Sequence, residues 1–176
     1  MLSYRQLETN RLILRLPKNL DYSYQFEYLK DKNNFPFADY KVAKSMDDVQ
    51  TFFDKMFKHH LETSLFWMIC DKTTDEALGT ISTWNIDFDL NSIEFGYSLY
   101  PKNRGKGYMV EAIQAVMDYC NQELKFAVFD IWTHKGNIAS IRLARRLGFQ
   151  FKGYVDEPAK FSNETITYAT YSLDKY

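Results

Sequence analysis

Pro101-Lys102-Asn103-Arg104-Gly105-Lys106-Gly107-Tyr108 joins a strand-like run that ends near Tyr100 to a helix-like run that begins at Tyr108. Backbone N–H groups at such a join converge where the helix dipole is positive, so an anion is the natural occupant. Gly105 and Gly107 let the backbone approach a phosphate with no Cβ in the way, and Arg104 and Lys106 add charge that neutralises a pyrophosphate. An ordinary glycine turn with solvated basic side chains has the same composition, and the loop alone leaves both readings open. Spacing does exclude two nucleotide motifs. A P-loop needs Ser or Thr directly after its Gly-Lys pair, and none follows Gly105-Lys106; GxGxxG needs a third glycine where Val110 stands.

Upstream of the loop, strand-like runs at 65–70, 77–86 and 92–100 are joined by Asp-, Thr- and Asn-rich connectors that suit hairpins, which predicts an antiparallel meander. Further toward the start, Leu12, Leu14 and Leu16 alternate with Arg11 and Arg15, so residues 7–16 read as one half-buried strand. Tyr22, Phe26 and Leu29 then fall at helical spacing, which Asn33-Asn34-Phe35-Pro36-Phe37 breaks. Ser45 reads as the N-cap of a second helix that carries Val49, Phe52, Phe53, Met56, Phe57 and Leu61, with Asp47 and Asp48 favourable to its dipole. Downstream of the loop, Met109, Ile113, Val116, Met117, Cys120 and Leu124 share one face of a long helix. Residues 126–132 form an apolar strand. Asn137 caps a helix through Ile138, Ile141, Ala144 and Leu147, and Gly148 stands where a left-handed C-cap would end it. Strands near 149–155 and 165–172 complete the chain.

No repeat, low-complexity tract or flexible linker divides the 176 residues, so 1–176 is expected to be a single domain. A chain of that length buries on the order of 70% of the surface it exposes when unfolded, enough for one core. The formal charge of −1 lacks the basic footprint of a nucleic-acid binder and points to small molecules or proteins as partners. Cys70 and Cys120 sit in apolar runs without a second ligand at metal spacing and read as buried thiols. No run approaches the roughly 18 apolar residues of a membrane span, and the amino terminus lacks a secretory pattern, so a cytoplasmic location is expected. The 13 Tyr and 14 Phe exceed what stability demands and suggest ring-lined pockets or an interface.

The loop resembles the signature of the GNAT superfamily of acyl-CoA-dependent N-acyltransferases: Arg or Gln, two residues, Gly, one residue, then Gly or Ala. Arg104-Gly105-Lys106-Gly107-Tyr108-Met109 departs from it only at Met109. The opening Glu8-Thr9-Asn10-Arg11-Leu12-Ile13-Leu14-Arg15, the strand Ile93-Glu94-Phe95-Gly96-Tyr97-Ser98-Leu99 and the segments Asn137-Ile138-Ala139-Ser140 and Leu147-Gly148-Phe149 look like their counterparts in the branch of ribosomal-protein N-terminal acetyltransferases. The resemblance implies an α/β (α+β) fold, a mostly antiparallel central sheet of about seven strands flanked by about four helices, with a splayed strand pair holding acyl-CoA. It also implies transfer of an acetyl group from acetyl-CoA to a primary amine by direct attack in a ternary complex. The backbone of Leu99 and Tyr100 would pair with the pantetheine arm, Arg104, Gly105, Lys106, Gly107 and Tyr108 would hold the pyrophosphate, and Asn137 would bond near the pantetheine while also serving as an N-cap.

An amine attacks a thioester only when neutral, whereas alkyl amines are protonated at pH 7, so a carboxylate should take the proton, directly or through water. Glu94 is the first candidate: if Phe95 points inward, Glu94 faces the opposite side of the strand, where a solvated or ion-paired glutamate is the other reading. The N–H of Leu99 would meet the oxyanion if a bulge leaves it unpaired. Many relatives place a tyrosine acid seven residues after the asparagine, but Ala144 stands there, and the resemblance offers Ser140 instead, which also suits a capping role.

Acceptor choice is assigned to the first two helices and their loop, with Phe35, Phe37, Asp39 and Tyr40 as an aromatic and acidic lip or as simple packing. Asp87 and Asp89 are weaker candidates for a cationic acceptor, since Asp is common in turns. A peptide N-terminus, a polyamine and a small-molecule amine all fit. Arg142, Arg145 and Arg146 either form a solvated basic face or reach the 3'-phosphate of the cofactor. His59, His60 and His134 do not share the spacing of metal ligands, so no metal is assigned. Relatives often pair, which makes a homodimer an expectation. Ala144 and Met109 keep open a different class of function, an acyl-CoA-binding sensor without turnover.

Overall fold

The structure is a computed structural model and describes residues 2–58 and 60–175. Its strands are β1 (Leu7–Glu8), β2 (Leu12–Arg15), β3 (Leu65–Asp71), β4 (Ala77–Asp87), β5 (Ser92–Leu99), β6 (Val128–His134), β7 (Gln150–Pro158) and β8 (Thr165–Asp174). Its helices are α1 (Asp21–Leu29), α2 (Met46–Phe57), α3 (Tyr108–Gln122) and α4 (Ile138–Arg146). The strands make one sheet in the order β1-β2-β3-β4-β5-β6-β8-β7, antiparallel throughout except for β5 and β6. The meander expected upstream of the loop is β3-β4-β5, and the mixed α/β architecture agrees with the sequence reading.

Apolar residues gather in a cluster on each side of the sheet. One packs Ile93, Phe95, Phe129 and Ile131 against the α3 residues Ile113, Val116, Met117 and Cys120. Burying each such aliphatic or aromatic side chain contributes roughly 1.5–3 kcal/mol, which fixes α3 firmly on the sheet. The other packs Val49 and Phe53 of α2 and Tyr28 and Leu29 of α1 against Phe66, Met68 and Cys70 of β3. Arg15 at the end of β2 anchors the start of α1: it lies 2.7 Å from Asp21 and 2.6 Å from Asp75, with both Arg15 and Asp21 buried. Removing one partner of such a buried pair costs about 3–5 kcal/mol, because the other charge is left uncompensated.

Local chemistry explains where the elements depart from the expected bounds. The run 7–16 is two strands, because Thr9 and Leu12 close a turn between them: Thr9 N donates to Leu12 O at 3.0 Å and Leu12 N to Thr9 Oγ1 at 2.9 Å. That raises the strand number above the expectation by one hairpin. Ser45 caps α2 in a reciprocal box with Asp48, as its position suggests. The helix stops at Phe57 instead of Leu61, since Leu61 has φ +70° and turns its N–H to Ser64 O at 2.9 Å. His60 therefore lies past the helix, and His59 lies outside the described residues. Phe126 precedes β6: Phe126 N bonds Cys120 O at 3.0 Å, which folds its ring under the end of α3.

Among the described residues, no helix is long and apolar enough to cross a membrane, and no group of three His, Cys, Asp or Glu side chains is placed to hold a metal.

Candidate active site

Parallel pairing of β5 and β6 runs from Ser92↔Val128 to Phe95↔Ile131 and stops, although both strands continue to Leu99 and His134. The sheet splits there. A cleft of about 490 Å³ runs from the split to the start of α3, and its walls include Tyr97, Leu99, Arg104, Gly105, Gly107, Met109, Asn137, Ser140 and Leu143. Tyr100 N donates to Leu78 O at 2.9 Å, which sets the phase of the β4–β5 ladder. By the alternation of an antiparallel ladder, the N–H and C=O groups of Tyr97 and Leu99 then point away from β4, toward the split. A bulge is thus not what frees the Leu99 amide. The register shift of this strand pair lies instead at Trp84–Asp87, and it is the departure of β6 that leaves the Leu99 edge open.

The loop after β5 forms a 3-10 turn at Pro101–Asn103 and then bends through Gly105 at φ +74° and Gly107 at φ +80°. Both are left-handed conformations in which side chains with a Cβ are disfavoured. A Cβ on Gly105 would meet nothing within 4 Å, so the backbone there borders open space. Gly107 is the N-cap of α3 and no side chain caps the helix, which leaves its first amides available to an anion. Arg11 braces the loop from behind: its Nη1 donates to Lys106 O at 3.0 Å, its Nη2 lies 2.7 Å from Glu111, and its guanidinium covers the Tyr108 ring at 4.7 Å. Lys106 itself is exposed. Arg104 spans the mouth of the cleft, with Nε donating to Leu99 O at 3.0 Å and Nη2 to the Asn34 carbonyl. Tyr100 is turned out of the cleft: its N–H is taken by Leu78 and its hydroxyl donates to Gln25 Oε1 at 2.9 Å within the core under α1.

Across the cleft, Asn137 caps α4 by accepting the Ser140 N–H at Oδ1, at 3.2 Å. This holds Ser140, 6% exposed, with its Oγ 2.7 Å from the Tyr97 hydroxyl. Arg142 and Arg146 also line the cleft.

Glu94 lies one residue before the last β5–β6 pair, on the sheet face opposite Phe95 and Tyr97, and is 5% exposed. Burial pushes its carboxyl up to about 7; Asp130, its neighbour in register on β6, acts in the same direction, while Asn85 and Lys160 act against it. Asn85 donates to Glu94 Oε2 at 2.9 Å from the β4 bulge, where its own φ is +46°. Trp84 pairs opposite Glu94, and the Lys160 ammonium stands 5.5 Å over the Trp84 ring.

The residues read as acceptor-binding separate. Phe37 is exposed on the cleft wall and packs on His134 at 5.2 Å. Phe35 is 3% exposed, packed between Tyr28 and Tyr40, and borders the same cleft as Phe37. Tyr40 packs on Phe52 of α2, and burial raises its hydroxyl to about 12. Asp87 is at the opposite end of β5 from the split and accepts the N–H groups of Asp89 and Leu90 at 2.9 and 2.8 Å, a turn-closing role. Asp39 accepts the N–H of Lys160. Cys70 and Cys120 are buried, and burial raises both thiols to about 12. Sequence reasoning passed over Tyr97, Asn85 and Arg11. For Tyr97 a signal existed, since the period of two that turns Phe95 inward turns Tyr97 inward as well. For Asn85 and Arg11 there was none, because each acts through a bulge or a contact far along the chain.

Residues 11–150 match the model of the family described as the acetyltransferase (GNAT) domain. The uncharacterized N-acetyltransferase p20 of Bacillus licheniformis is 30% identical over 175 residues, spanning 96% of both chains. A putative ribosomal-protein-serine acetyltransferase from Vibrio cholerae superposes with a TM-score of 0.85 at 19% identity, over 99% of each chain. The spermidine N-acetyltransferase of Vibrio cholerae, solved with CoA and spermine, superposes with a TM-score of 0.79 at 17% identity, over 95% of this chain and 97% of that one.

Proposed function

This chain belongs to the acetyltransferase (GNAT) domain family, and on that premise we propose that it binds acetyl-CoA in the split between β5 and β6 and transfers the acetyl group to a primary amine in a ternary complex. The observation that carries the reading is the conjunction of an unpaired β5 edge at Leu99 with an uncapped α3 start behind two left-handed glycines. An arm that offers amide groups can complete the Leu99 edge as another strand would, and a pyrophosphate suits the amides after Gly107. Pairing at the Leu99 carbonyl displaces the Arg104 guanidinium, which is then free to meet phosphate.

Glu94 is the base in this reading. A carboxyl with a pKa of about 7 is partly ionised at neutral pH and matched to taking a proton from the acceptor ammonium through water, which frees the neutral amine to attack. Ser140 donates to the departing sulfur, and the Leu99 N–H offers a hydrogen bond to the carbonyl oxygen as charge develops there. Asp39, Glu157 and Glu94 gather acidic groups around Tyr168 on the Glu94 side of the sheet, which suits a cationic acceptor. A peptide N-terminus, a polyamine and a small-molecule amine meet that condition.

Free thiol should appear when the protein is mixed with acetyl-CoA and one member of an amine panel made up of a peptide with a free N-terminus, a polyamine and a simple alkyl amine. Without amine, release should stay at the background rate. CoA at 100 times its dissociation constant should add about 2.7 kcal/mol to stability. Stabilisation with no release for any amine would establish the sensor reading in place of the enzyme, and neither stabilisation nor release would remove both.

A further inference from the structure

Tyr97 has no role in the steps above, yet its hydroxyl is 2.7 Å from Ser140 Oγ. It lies two residues past the last β5–β6 pair, so its ring enters the cleft where a β6 side chain would otherwise lie beside it. Ser140 is held at its backbone by Asn137 and is almost wholly buried, which leaves the direction of its O–H as its main freedom.

Two hydroxyls at this distance form one hydrogen bond between them, and its direction decides what the cleft receives. If Ser140 donates to Tyr97, the serine hydrogen is used and its lone pairs face the sulfur, where developing negative charge repels them. If Tyr97 donates to Ser140, the serine hydrogen is free to turn to the sulfur. The phenol is the stronger acid and the better donor, and the aliphatic hydroxyl is the better acceptor. We propose that Tyr97 is a positioning residue: by donating to Ser140 Oγ it directs the serine O–H at the departing thiolate.

The inference rests on the acetyl-transfer reading. In that step the acyl carbon–sulfur bond breaks as the carbon–nitrogen bond forms, and the sulfur keeps the electron pair. Ser140 stabilises the pair with its O–H, and the amine proton leaves through Glu94 to solvent. The sulfur then draws a proton from solvent, directly or by way of Ser140, so charge and hydrogen balance with Tyr97 unchanged. Burial pushes its phenol up to about 12, with the Ser140 hydrogen bond acting against it, so Tyr97 remains a donor at any working pH.

Tyr97→Phe keeps the ring and removes only the hydroxyl. It should lower kcat about 5-fold, as expected for one neutral hydrogen bond, while the Kd for CoA and the KM for acetyl-CoA stay at wild-type values. Ser140→Ala should lower kcat about 10-fold or more. The decisive measurement is the double variant, which should be no slower than Ser140→Ala within a factor of about 2, because Tyr97 acts only through Ser140. Losses that multiply in the double variant, wild-type turnover in Tyr97→Phe, or an increase in Kd equal to the loss in kcat would each overturn the assignment. Wild-type protein in the same assay separates the two levels: normal amine-dependent release with multiplying losses removes only Tyr97, whereas no release from wild type removes the acetyl-transfer reading and Tyr97 with it.

Discussion

Glu94→Gln is expected to slow acetyl transfer about 100-fold or more, the scale of a positioned general base, and to remove the acidic limb of the rate profile. The wild-type rate should rise with pH through a midpoint near 7, because the carboxyl must be ionised to accept a proton and burial sets its pKa at about 7. The amide of Gln fills the same space and accepts no proton, so the variant should lose that limb and follow only the ionisation of the acceptor amine. Stability should move the other way. The folded-state pKa lies above the ordinary value of 4.5, so between pH 4.5 and 7 the folded chain holds a proton that the unfolded chain has released. Stability therefore falls as pH rises through this window and stays lowered above it. An uncharged Gln avoids the loss, and Glu94→Gln should be more stable than wild type by about 3 kcal/mol at pH 8, with little difference at pH 4. Rate profiles with thermal melts at both pH values check the two signs together. A variant that keeps both the wild-type rate and its pH profile would remove Glu94 from the mechanism.

That coupling of lost stability to activity shows what a sequence can and cannot disclose. The α3 stripe of Met109, Ile113, Val116, Met117 and Cys120 was legible because a helix is read from near neighbours, and all five are buried; Leu124, expected on the same face, falls past the helix end at Gln122. The caps at Ser45 and Asn137 were legible for the same reason. The bend at Gly105 and Gly107 was legible because glycine is the residue that tolerates the positive φ both adopt. The split was not. It depends on where two strands stop pairing, and nothing local in Gly96-Tyr97-Ser98-Leu99 marks the end of β6 contact. Arg104 was expected at a phosphate, but its partner Asn34 is brought to it by the turn after α1, 70 residues away. Glu94 could be placed on a strand face from the period of two, yet its pKa is raised by burial and by Asp130 on β6 against the opposing pull of Asn85 and Lys160, none of which a local sequence pattern places beside it. Phe35 and Tyr40 show why an aromatic loop is ambiguous: Phe35 packs between Tyr28 and Tyr40 and still borders the cleft, whereas Tyr40 packs on Phe52 of α2 away from it.

Gly107→Val should raise the Kd for CoA about 100-fold, equivalent to losing one or two charge-assisted hydrogen bonds of roughly 1.5–3 kcal/mol each. The demand at this position is conformational. A Cβ on Gly107 would meet only Arg11 Nη2 at 3.5 Å, an ordinary contact, so space is available. At φ +80°, however, a β-branched residue is a backbone outlier, and the left-handed region costs a residue with a Cβ about 1–2 kcal/mol. The chain can relieve that strain by rotating the peptides on either side of residue 107. Those peptides carry the N–H groups at the start of α3, so relief for the valine misdirects the amides offered to the pyrophosphate. Asn tolerates positive φ better than Val, and Gly107→Asn should therefore bind CoA with an affinity between those of wild type and Gly107→Val. Steric exclusion would instead rank the variants by size and give Asn and Val similar losses. Calorimetric titration with CoA, beside melts of the ligand-free proteins, distinguishes the cases: the expected result is a large change in Kd with a melting temperature lowered by only a few degrees. Unchanged affinity in Gly107→Val would mean that the start of α3 holds no phosphate.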